Sequence, residues 1–239
     1  MRKPGRYRKR IRYPVDLATT VSCVKSHGVP YLMLCGASGA GKSSVGFEIF
    51  DRLRSQGVVT ARVDFDEIGA CHPARVEDPE NHLLKARNLA VMWRNFEAVG
   101  ARCIVASGGI ERGENVAIYR GAIPGAVFTL CRLRVGRQEQ RARIMHRGRL
   151  LGVGGNAAVS SYTTARLEAL ADEAAREADE IDRSEIGDFC VDTDGLEVPT
   201  VARLVLARAG GWPHLSAPKR LVAGSATHDA GNVETGNTA

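Results

Sequence analysis

The chain of 239 residues is 44% apolar, which suits one α/β domain with terminal tails and a buried core. No apolar run approaches the roughly 20 residues that span a bilayer, and no apolar segment follows the basic N-terminus, so neither a membrane protein nor a secreted one is expected. The net charge of +6 comes from residues 1–12, which hold seven of the 33 basic residues and no acidic one. The rest of the chain holds 26 basic and 27 acidic residues, so a uniformly basic, nucleic-acid-binding domain is excluded.

The composition divides the chain into three parts. Residues 1–28 are predicted to be a basic arm and linker, residues 29–211 a domain, and residues 212–239 a disordered tail rich in small polar residues. The arm is either a solvated extension or a contact surface for nucleic acid. Six cysteines without a Cys-x-x-Cys pair favour reduced thiols in the cytoplasm. Oligomeric state, including a homodimer, stays open.

Strand and helix patterns alternate along the domain. Short apolar runs predict strands at residues 31–35, 58–63, 102–106, 126–133 and 189–192. Helical periodicity predicts helices after residue 43 and at residues 80–99, 114–120, 138–146, 164–180 and 198–209. This alternation favours a parallel sheet of five strands with helices on both faces. Ligands of such sheets bind beyond the carboxyl ends of the strands.

A phosphate-binding motif follows the first predicted strand. Residues 36–43 match the pattern G-x-x-x-x-G-K-[ST], whose glycines let backbone amides curl around an anion. In this pattern the lysine reaches the β- and γ-phosphates and the serine hydroxyl binds Mg²⁺. The predicted nucleotide-binding residues are Gly36, Ala37, Ser38, Gly39, Ala40, Gly41, Lys42, Ser43 and Ser44.

Two carboxylates end the second predicted strand. Asp64 and Asp66 are two residues apart, so both side chains share a face if the strand stays regular. Carboxylates beside a triphosphate can support Mg²⁺ and accept a proton from an attacking hydroxyl. We assign Asp66 as the general base, because it lies further out, and Asp64 with Ser43 to the metal.

A basic helix follows the fourth predicted strand. Arg143 and Arg147 share one face of that helix, and glycines follow it within a predicted lid at residues 147–156. Arginines that close over phosphate oxygens would stabilise the charge of phosphoryl transfer. The acidic residues of the next helix, from Asp172 to Glu180, are interpreted as a solvated face.

The motif, the acidic strand end and the arginines before a glycine lid resemble the small P-loop kinases, such as adenylylsulfate kinase, gluconate kinase and chloramphenicol phosphotransferase. The resemblance covers residues 29–210 and implies a three-layer α/β/α sandwich with a five-stranded parallel sheet. It implies that Lys42 and Ser43 bind ATP and Mg²⁺, that Asp66 or Asp64 meets the acceptor hydroxyl, and that Arg143 and Arg147 contact phosphates. Phe65 stands between the aspartates where adenylylsulfate kinases carry glycine.

These features predict an ATP- and Mg²⁺-dependent kinase of a small hydroxylated metabolite or nucleotide. Its acceptor pocket is expected from residues 68–96, including Arg87, Trp93, Arg94 and Phe96. His72 and His82 either contact the substrate or, as the favoured interpretation, lie at the surface. Two alternatives stay open: a nucleotide-hydrolysing regulator that uses the lid as a switch, and a nucleic-acid-end kinase that uses the basic arm.

Overall fold

A computed structural model describes residues 28–110, 112–153 and 163–214, apart from the side chains of residues 149–153. Residues 1–27 of the predicted arm, residues 154–162 around the predicted lid, and residues 215–239 of the predicted tail lie outside this part.

Strands and helices alternate within the described residues, with a pair of helices before the third strand and another before the last strand. The strands are β1 (Pro30–Cys35), β2 (Thr60–Asp64), β3 (Cys103–Ser107), β4 (Val127–Arg134) and β5 (Phe189–Asp192). The helices are α1 (Lys42–Ser55), α2 (Phe65–Ile68), α3 (His82–Ala98), α4 (Gly113–Gly121), α5 (Arg137–Val153), α6 (Thr164–Ser184) and α7 (Val198–Arg208). The predicted strands and long helices are confirmed, and α2 is an addition that the sequence did not predict.

The five strands form one parallel sheet in the order β2-β3-β1-β4-β5. Strand β1 lies at the centre, and all of its residues after Pro30 are buried because helices cover both faces. This arrangement confirms the predicted five-stranded parallel sheet. It also aligns the carboxyl ends of β1, β2 and β3 at one edge.

Alternate residues of β1 enter two separate cores. Tyr31 and Met33 pack in one apolar cluster with residues of α3, α4 and α6. Leu32 and Leu34 pack in the other cluster with residues of α1 and α7. Successive strand residues point to opposite faces, so this division defines helix, sheet and helix layers. The predicted three-layer sandwich is confirmed.

Helices α5 and α6 pack closely against each other, and this contact corrects the predicted start of the lid. Helix α5 continues to Val153 instead of ending near His146. A Cβ atom on Gly148 would lie 2.1 Å from a methyl carbon of Leu167, so glycine permits the close approach of α6. Gly148 therefore serves helix packing and does not loosen the chain.

The domain extends beyond the predicted boundary at residue 211. Trp212 is only 5% exposed and belongs to the apolar cluster that α1 and α7 cover. The predicted disordered tail therefore begins too early by at least this residue. No helix in the described part of the chain is long and apolar enough to cross a membrane.

Candidate active site

Three chain segments meet at the carboxyl edge of the sheet. The loop of residues 36–41 follows β1, while Asp64 ends β2 and Ser107 ends β3. Ser107 is the register partner of both Asp64 and Leu34, so these strand ends are level with one another. The polar ends of β2 and β3 therefore lie beside the phosphate-binding motif.

The backbone of the motif has the glycine conformations that a phosphate cradle requires. Gly39 and Gly41 adopt φ angles of 84° and 95°, in the left-handed region that other residues rarely occupy. Helix α1 begins directly afterwards at Lys42, so its unpaired amides and its dipole point toward the loop. The Lys42 ammonium donates hydrogen bonds to the carbonyls of Gly36 at 2.8 Å and Ala37 at 3.1 Å. A cationic group therefore lies directly over the loop.

Asp64 links the motif to the neighbouring strands. Its Oδ2 atom accepts hydrogen bonds from the hydroxyl groups of Ser43 at 2.7 Å and Ser107 at 3.0 Å. The side chain is 6% exposed, and the guanidinium group of Arg62 lies 3.8 Å from the same oxygen. These contacts hold the Asp64 carboxylate beside the Ser43 hydroxyl. Both groups offer the hard oxygen donors that Mg²⁺ prefers.

Asp66 does not share a strand face with Asp64, so that expectation is wrong. Strand β2 ends at Asp64, which caps α2 because its Oδ1 atom accepts a hydrogen bond of 3.1 Å from the Asp66 amide. Asp66 therefore lies in the first turn of α2. Its side chain is exposed and has no hydrogen-bonding partner among the described residues.

Two side chains of α5 hold the phosphate-binding loop in position. Gln140 is 1% exposed, and its amide nitrogen donates to the carbonyls of Ser38 at 2.8 Å and Ala174 at 3.0 Å. Arg143 donates to the hydroxyl of Thr193 at 2.9 Å and to its carbonyl at 2.7 Å. One Arg143 nitrogen also lies 3.4 Å from the Gly39 carbonyl. Helix α5 thus joins the loop to α6 and to the segment after β5.

The acidic residues of α6 are not simply a solvated face. Asp179 pairs with Arg137 of α5, and Glu168 and Asp172 lie 3.2 and 3.7 Å from Arg141. The carboxylate of Glu177 accepts a hydrogen bond of 2.9 Å from the Ser38 amide. This carboxylate therefore binds one of the backbone amides of the phosphate-binding motif.

Arg147 lies at the entrance of the same site. Its guanidinium group is exposed, and one nitrogen lies 3.5 Å from the Ser38 hydroxyl. The structure therefore brings both predicted arginines near the phosphate-binding loop. Arg143 is hydrogen-bonded to the segment after β5, and Arg147 lies at the entrance of the site. Arg143 is the more firmly held, because its partners are fixed backbone and side-chain groups.

A cavity of about 1130 Å³ opens beside Ser38. Its walls come from the N-terminal ends of α3 and α4 and from α5 and α6. The sequence placed the acceptor pocket over the whole of residues 68–96, but only residues 77–80, 82 and 83 of that stretch line the cavity. Trp93 instead packs in the core at 5% exposure. Neither Asp64 nor Asp66 lines the cavity.

His82 is a buried residue of this cavity wall, which corrects its expected surface position. It is 7% exposed, with its Nδ1 atom 2.8 Å from the Tyr119 hydroxyl and its Nε2 atom 3.0 Å from the Asn115 amide nitrogen. Tyr119 stacks on Phe65 at the start of α2, with ring centroids 4.3 Å apart. The cavity wall is therefore connected through buried rings to the chain that follows Asp64.

Burial raises the pKa of the Cys35 thiol from 9.0 to about 12, and the nearby Lys42 and Arg132 offset this only in part. Cys35 immediately precedes the phosphate-binding loop and is fully buried. It is therefore an uncharged thiol at neutral pH.

The described residues offer no cluster of three or more His, Cys, Asp or Glu side chains that could hold a metal ion.

Comparison with solved structures defines the class of fold. The tunicamycin resistance protein of Deinococcus radiodurans matches with a TM-score of 0.51 at 15% identity, over 77% of this chain and 96% of that protein. A sugar kinase from Janibacter sp. HTCC2649 matches with a TM-score of 0.51 at 12% identity, over 77% and 96%. The protein APE1195 matches with a TM-score of 0.52 at 15% identity, over 80% and 99%.

No protein-family model and no curated protein sequence matches the chain. At identities of 12–15% the structural matches establish the fold alone. The chain has the α/β fold of the P-loop kinases, and the resemblance inferred from its motifs is confirmed at that level.

Proposed function

We propose that this protein is a phosphotransferase that moves the γ-phosphoryl group of ATP to a hydroxyl group of a small metabolite or nucleotide, with Mg²⁺. The observation that carries the proposal is the 2.7 Å hydrogen bond between the Ser43 hydroxyl and the Asp64 carboxylate. It joins the last residue of the phosphate-binding motif to the acidic end of the next strand. This is the pair of oxygen donors from which a nucleotide-bound Mg²⁺ would be held.

The backbone and Lys42 would bind the phosphates of the nucleotide. Gly39 and Gly41 have left-handed backbone conformations, and the Lys42 ammonium is carried on the first turn of α1. In this role Lys42 exchanges its carbonyl partners at Gly36 and Ala37 for phosphate oxygens. Bound Mg²⁺ would neutralise phosphate charge, while Ser43 and Asp64 orient it through their oxygens.

Arg147 and Asp66 are the candidates for the transfer step. Arg147 is exposed beside Ser38, and its long side chain could reach a phosphate oxygen. It would therefore stabilise negative charge on the phosphoryl group during transfer. Asp66 would accept the hydroxyl proton of the acceptor. Its exposed carboxylate at the start of α2 is available for this role. Arg143 would hold the phosphate-binding loop in position around the nucleotide.

The proposal is tested by the metal dependence of nucleotide turnover. Ser43→Ala removes the hydroxyl that would bind the metal, and we expect the Mg²⁺ concentration for half-maximal activity to rise about tenfold or more. Ser55→Ala, on the last turn of α1, is the matched control and should behave as wild type. Lys42→Ala should abolish turnover, so unchanged turnover in that variant would refute the proposed site.

The acceptor is sought with the full chain, Mg²⁺ and labelled ATP in a pool of hydroxylated metabolites. Mass spectrometry identifies any compound that gains one phosphoryl group. Release of inorganic phosphate at the same rate with and without every pool would instead favour a nucleotide-hydrolysing regulator.

A further inference from the structure

A buried histidine in the wall of the cavity is held by two side chains of one helix. His82 begins α3 and is 7% exposed. The amide nitrogen of Asn115 lies 3.0 Å from its Nε2 atom, and the hydroxyl of Tyr119 lies 2.8 Å from its Nδ1 atom. Asn115 and Tyr119 are one turn apart in α4, so they lie on the same face of that helix. The imidazole ring is thus fixed at both of its polar atoms.

The chain before His82 also fixes the position of this ring. Asn81 adopts a φ angle of 57°, and its amide nitrogen donates to the carbonyls of Gly69 at 3.1 Å and Cys71 at 2.9 Å. A residue other than glycine keeps this left-handed conformation only where its surroundings determine it. The start of α3 is therefore tied to the segment that follows α2, and His82 has little freedom to move.

The hydrogen bonds of His82 determine the orientation of the Asn115 carboxamide. An amide nitrogen only donates, so Nε2 accepts this hydrogen bond, and the ring carries its proton on Nδ1, which donates to the Tyr119 hydroxyl. The amide oxygen of Asn115 lies on the other arm of the planar group. Asn115 is half-buried and lines the cavity, and its amide oxygen accepts no hydrogen bond from the described residues. A molecule in the cavity can therefore bind to this oxygen.

The same cavity adjoins the phosphate-binding loop. Ser38 lines it together with Asn115, so a molecule held there lies beside the loop that would bind the nucleotide. Asp66, the proposed proton acceptor, does not line the cavity. The group that Asn115 binds is therefore a different part of the acceptor from the hydroxyl that reacts. Tyr119 stacks on Phe65, the residue before Asp66, so one pair of rings connects the two parts of the site.

We propose that Asn115 binds the phosphoryl acceptor through its amide oxygen and that His82 is a positioning residue, which orients this oxygen toward the cavity. The inference rests on the proposed phosphotransferase function and names the class of its acceptor. An amide oxygen accepts hydrogen bonds and cannot donate them. The acceptor therefore carries a second O–H or N–H group besides the hydroxyl that receives the phosphoryl group. A site built around such a contact discriminates against compounds that lack the donor, because its own polar group is then left unpaired.

The class of acceptor is tested by dividing the pool of hydroxylated metabolites into two sets. The single-donor set holds compounds with one hydroxyl and no other donor, and the multi-donor set holds compounds with a second O–H or N–H group. Each set is incubated with the full chain, Mg²⁺ and labelled ATP, and is separately dialysed against the protein with a non-hydrolysable ATP analogue. We expect roughly tenfold more transferred label and more retention in the multi-donor set. Equal or greater values in the single-donor set would overturn the inference.

Asn115→Ala tests the amide oxygen itself. The concentration of the multi-donor set that gives half-maximal labelling, and half-maximal retention, should rise about tenfold, while the maximal rate stays within about threefold. Asn95→Ala is the matched control, because Asn95 is exposed on α3 and does not line the cavity. The affinity of each variant for the ATP analogue reports whether its phosphate-binding site is intact. Wild-type half-maximal concentrations in Asn115→Ala would reject its role.

Two substitutions of His82 separate positioning from packing. The amide of a glutamine reaches the place of Nε2 and offers an acceptor to Asn115, whereas the amide of the shorter asparagine reaches only the place of Nδ1. We expect His82→Asn to raise the half-maximal concentration about tenfold and His82→Gln to stay within about threefold of wild type. Both variants lose the ring, so a role in packing alone would affect them alike. Equal half-maximal concentrations in the two variants would therefore reject the positioning role.

The proposed function and the proposed acceptor contact fail in different ways. A protein that binds no ATP analogue, and neither labels nor retains any compound, contradicts the proposed function and the inference that rests on it. A protein that labels compounds at equal half-maximal concentrations in wild type and Asn115→Ala contradicts only the role of Asn115. Retention without transfer, lost in Asn115→Ala, would support the contact and contradict the phosphotransferase function.

Discussion

The carboxylate of Glu177 accepts a 2.9 Å hydrogen bond from the backbone amide of Ser38, within the phosphate-binding loop. In the proposed function this amide belongs to the group that surrounds the phosphates. A carboxylate on the amide competes with a phosphate oxygen for the same donor and repels the phosphate charge. The contact therefore opposes nucleotide binding.

Glu177→Gln is expected to bind ATP roughly fivefold to tenfold more tightly, equivalent to about 1 kcal/mol at a partly exposed site. The measurement is the dissociation constant of a non-hydrolysable ATP analogue by calorimetry. Glu168→Gln on the same helix is the control, because its carboxylate faces Arg141. Equal or weaker binding in Glu177→Gln would show that the carboxylate does not compete with the nucleotide.

The sequence predicted those parts of the site that depend on adjacent residues. The motif of residues 36–43 and the acidic end of β2 each follow a strand directly, so local pattern and the geometry of parallel sheets suffice to bring them together. Glu177 and Gln140 could not be predicted in this way. They are 139 and 102 residues from Ser38, and their contacts depend on how α5 and α6 pack.

The errors also have physical causes. Strand periodicity placed Asp64 and Asp66 on one face, but Asp64 bonds the Asp66 amide and so starts a helix at that point. Glycines suggested that the lid begins at residue 147, but Gly148 admits Leu167 and stays within α5. In both places a specific contact, and not the conformational preference of the residue type, determines the backbone conformation.

Gln140→Leu is expected to weaken both folding and nucleotide binding. The substitution keeps the volume of the side chain but leaves the loop carbonyl of Ser38 without this donor, whereas the Ala174 carbonyl keeps its hydrogen bond within α6. An unsatisfied carbonyl costs about 1–3 kcal/mol, so we expect the free energy of unfolding in urea to fall by roughly 1–3 kcal/mol. The ATP dissociation constant should rise, because the phosphate-binding loop loses the hydrogen bond that Gln140 donates to it.

Gln138→Leu is the control for this variant, because Gln138 is exposed on the same helix. A free energy of unfolding that is the same in both variants would contradict the role of Gln140. A loss of stability in Gln140→Leu without a loss of ATP affinity would show that the loop keeps its conformation unaided.

Asp66→Asn is expected to suppress phosphoryl transfer by a factor of about 100 or more, because the amide cannot accept the hydroxyl proton. The dissociation constant of the ATP analogue should stay within twofold, since Asp66 is exposed and makes no side-chain hydrogen bond to the phosphate-binding loop. Single-turnover kinetics separate these two quantities. A wild-type transfer rate would instead locate the proton acceptor in the cavity wall, where Glu177 adjoins Ser38.

The buried Cys35 thiol predicts a loss of stability at alkaline pH. Its pKa is about 12 in the folded chain against 9.0 for an ordinary thiol, so the unfolded chain releases a proton that the folded chain retains. The stabilisation is complete below pH 9 and falls as pH rises toward 12, by on the order of 3 kcal/mol at pH 11. Urea unfolding between pH 8 and pH 11 measures this dependence.

Cys35→Ala should remove this part of the pH dependence, although Cys103 and Cys131, whose pKa values burial also raises, should keep theirs. The expected result is therefore a difference in unfolding free energy between wild type and Cys35→Ala that changes steadily above pH 9. Cys71→Ala is the matched control, since it removes an exposed thiol. The same pH-dependent difference in both variants would contradict the assignment to Cys35. Because Cys35 immediately precedes Gly36, we also expect ATP affinity to decline over the same pH range in wild type and less in Cys35→Ala.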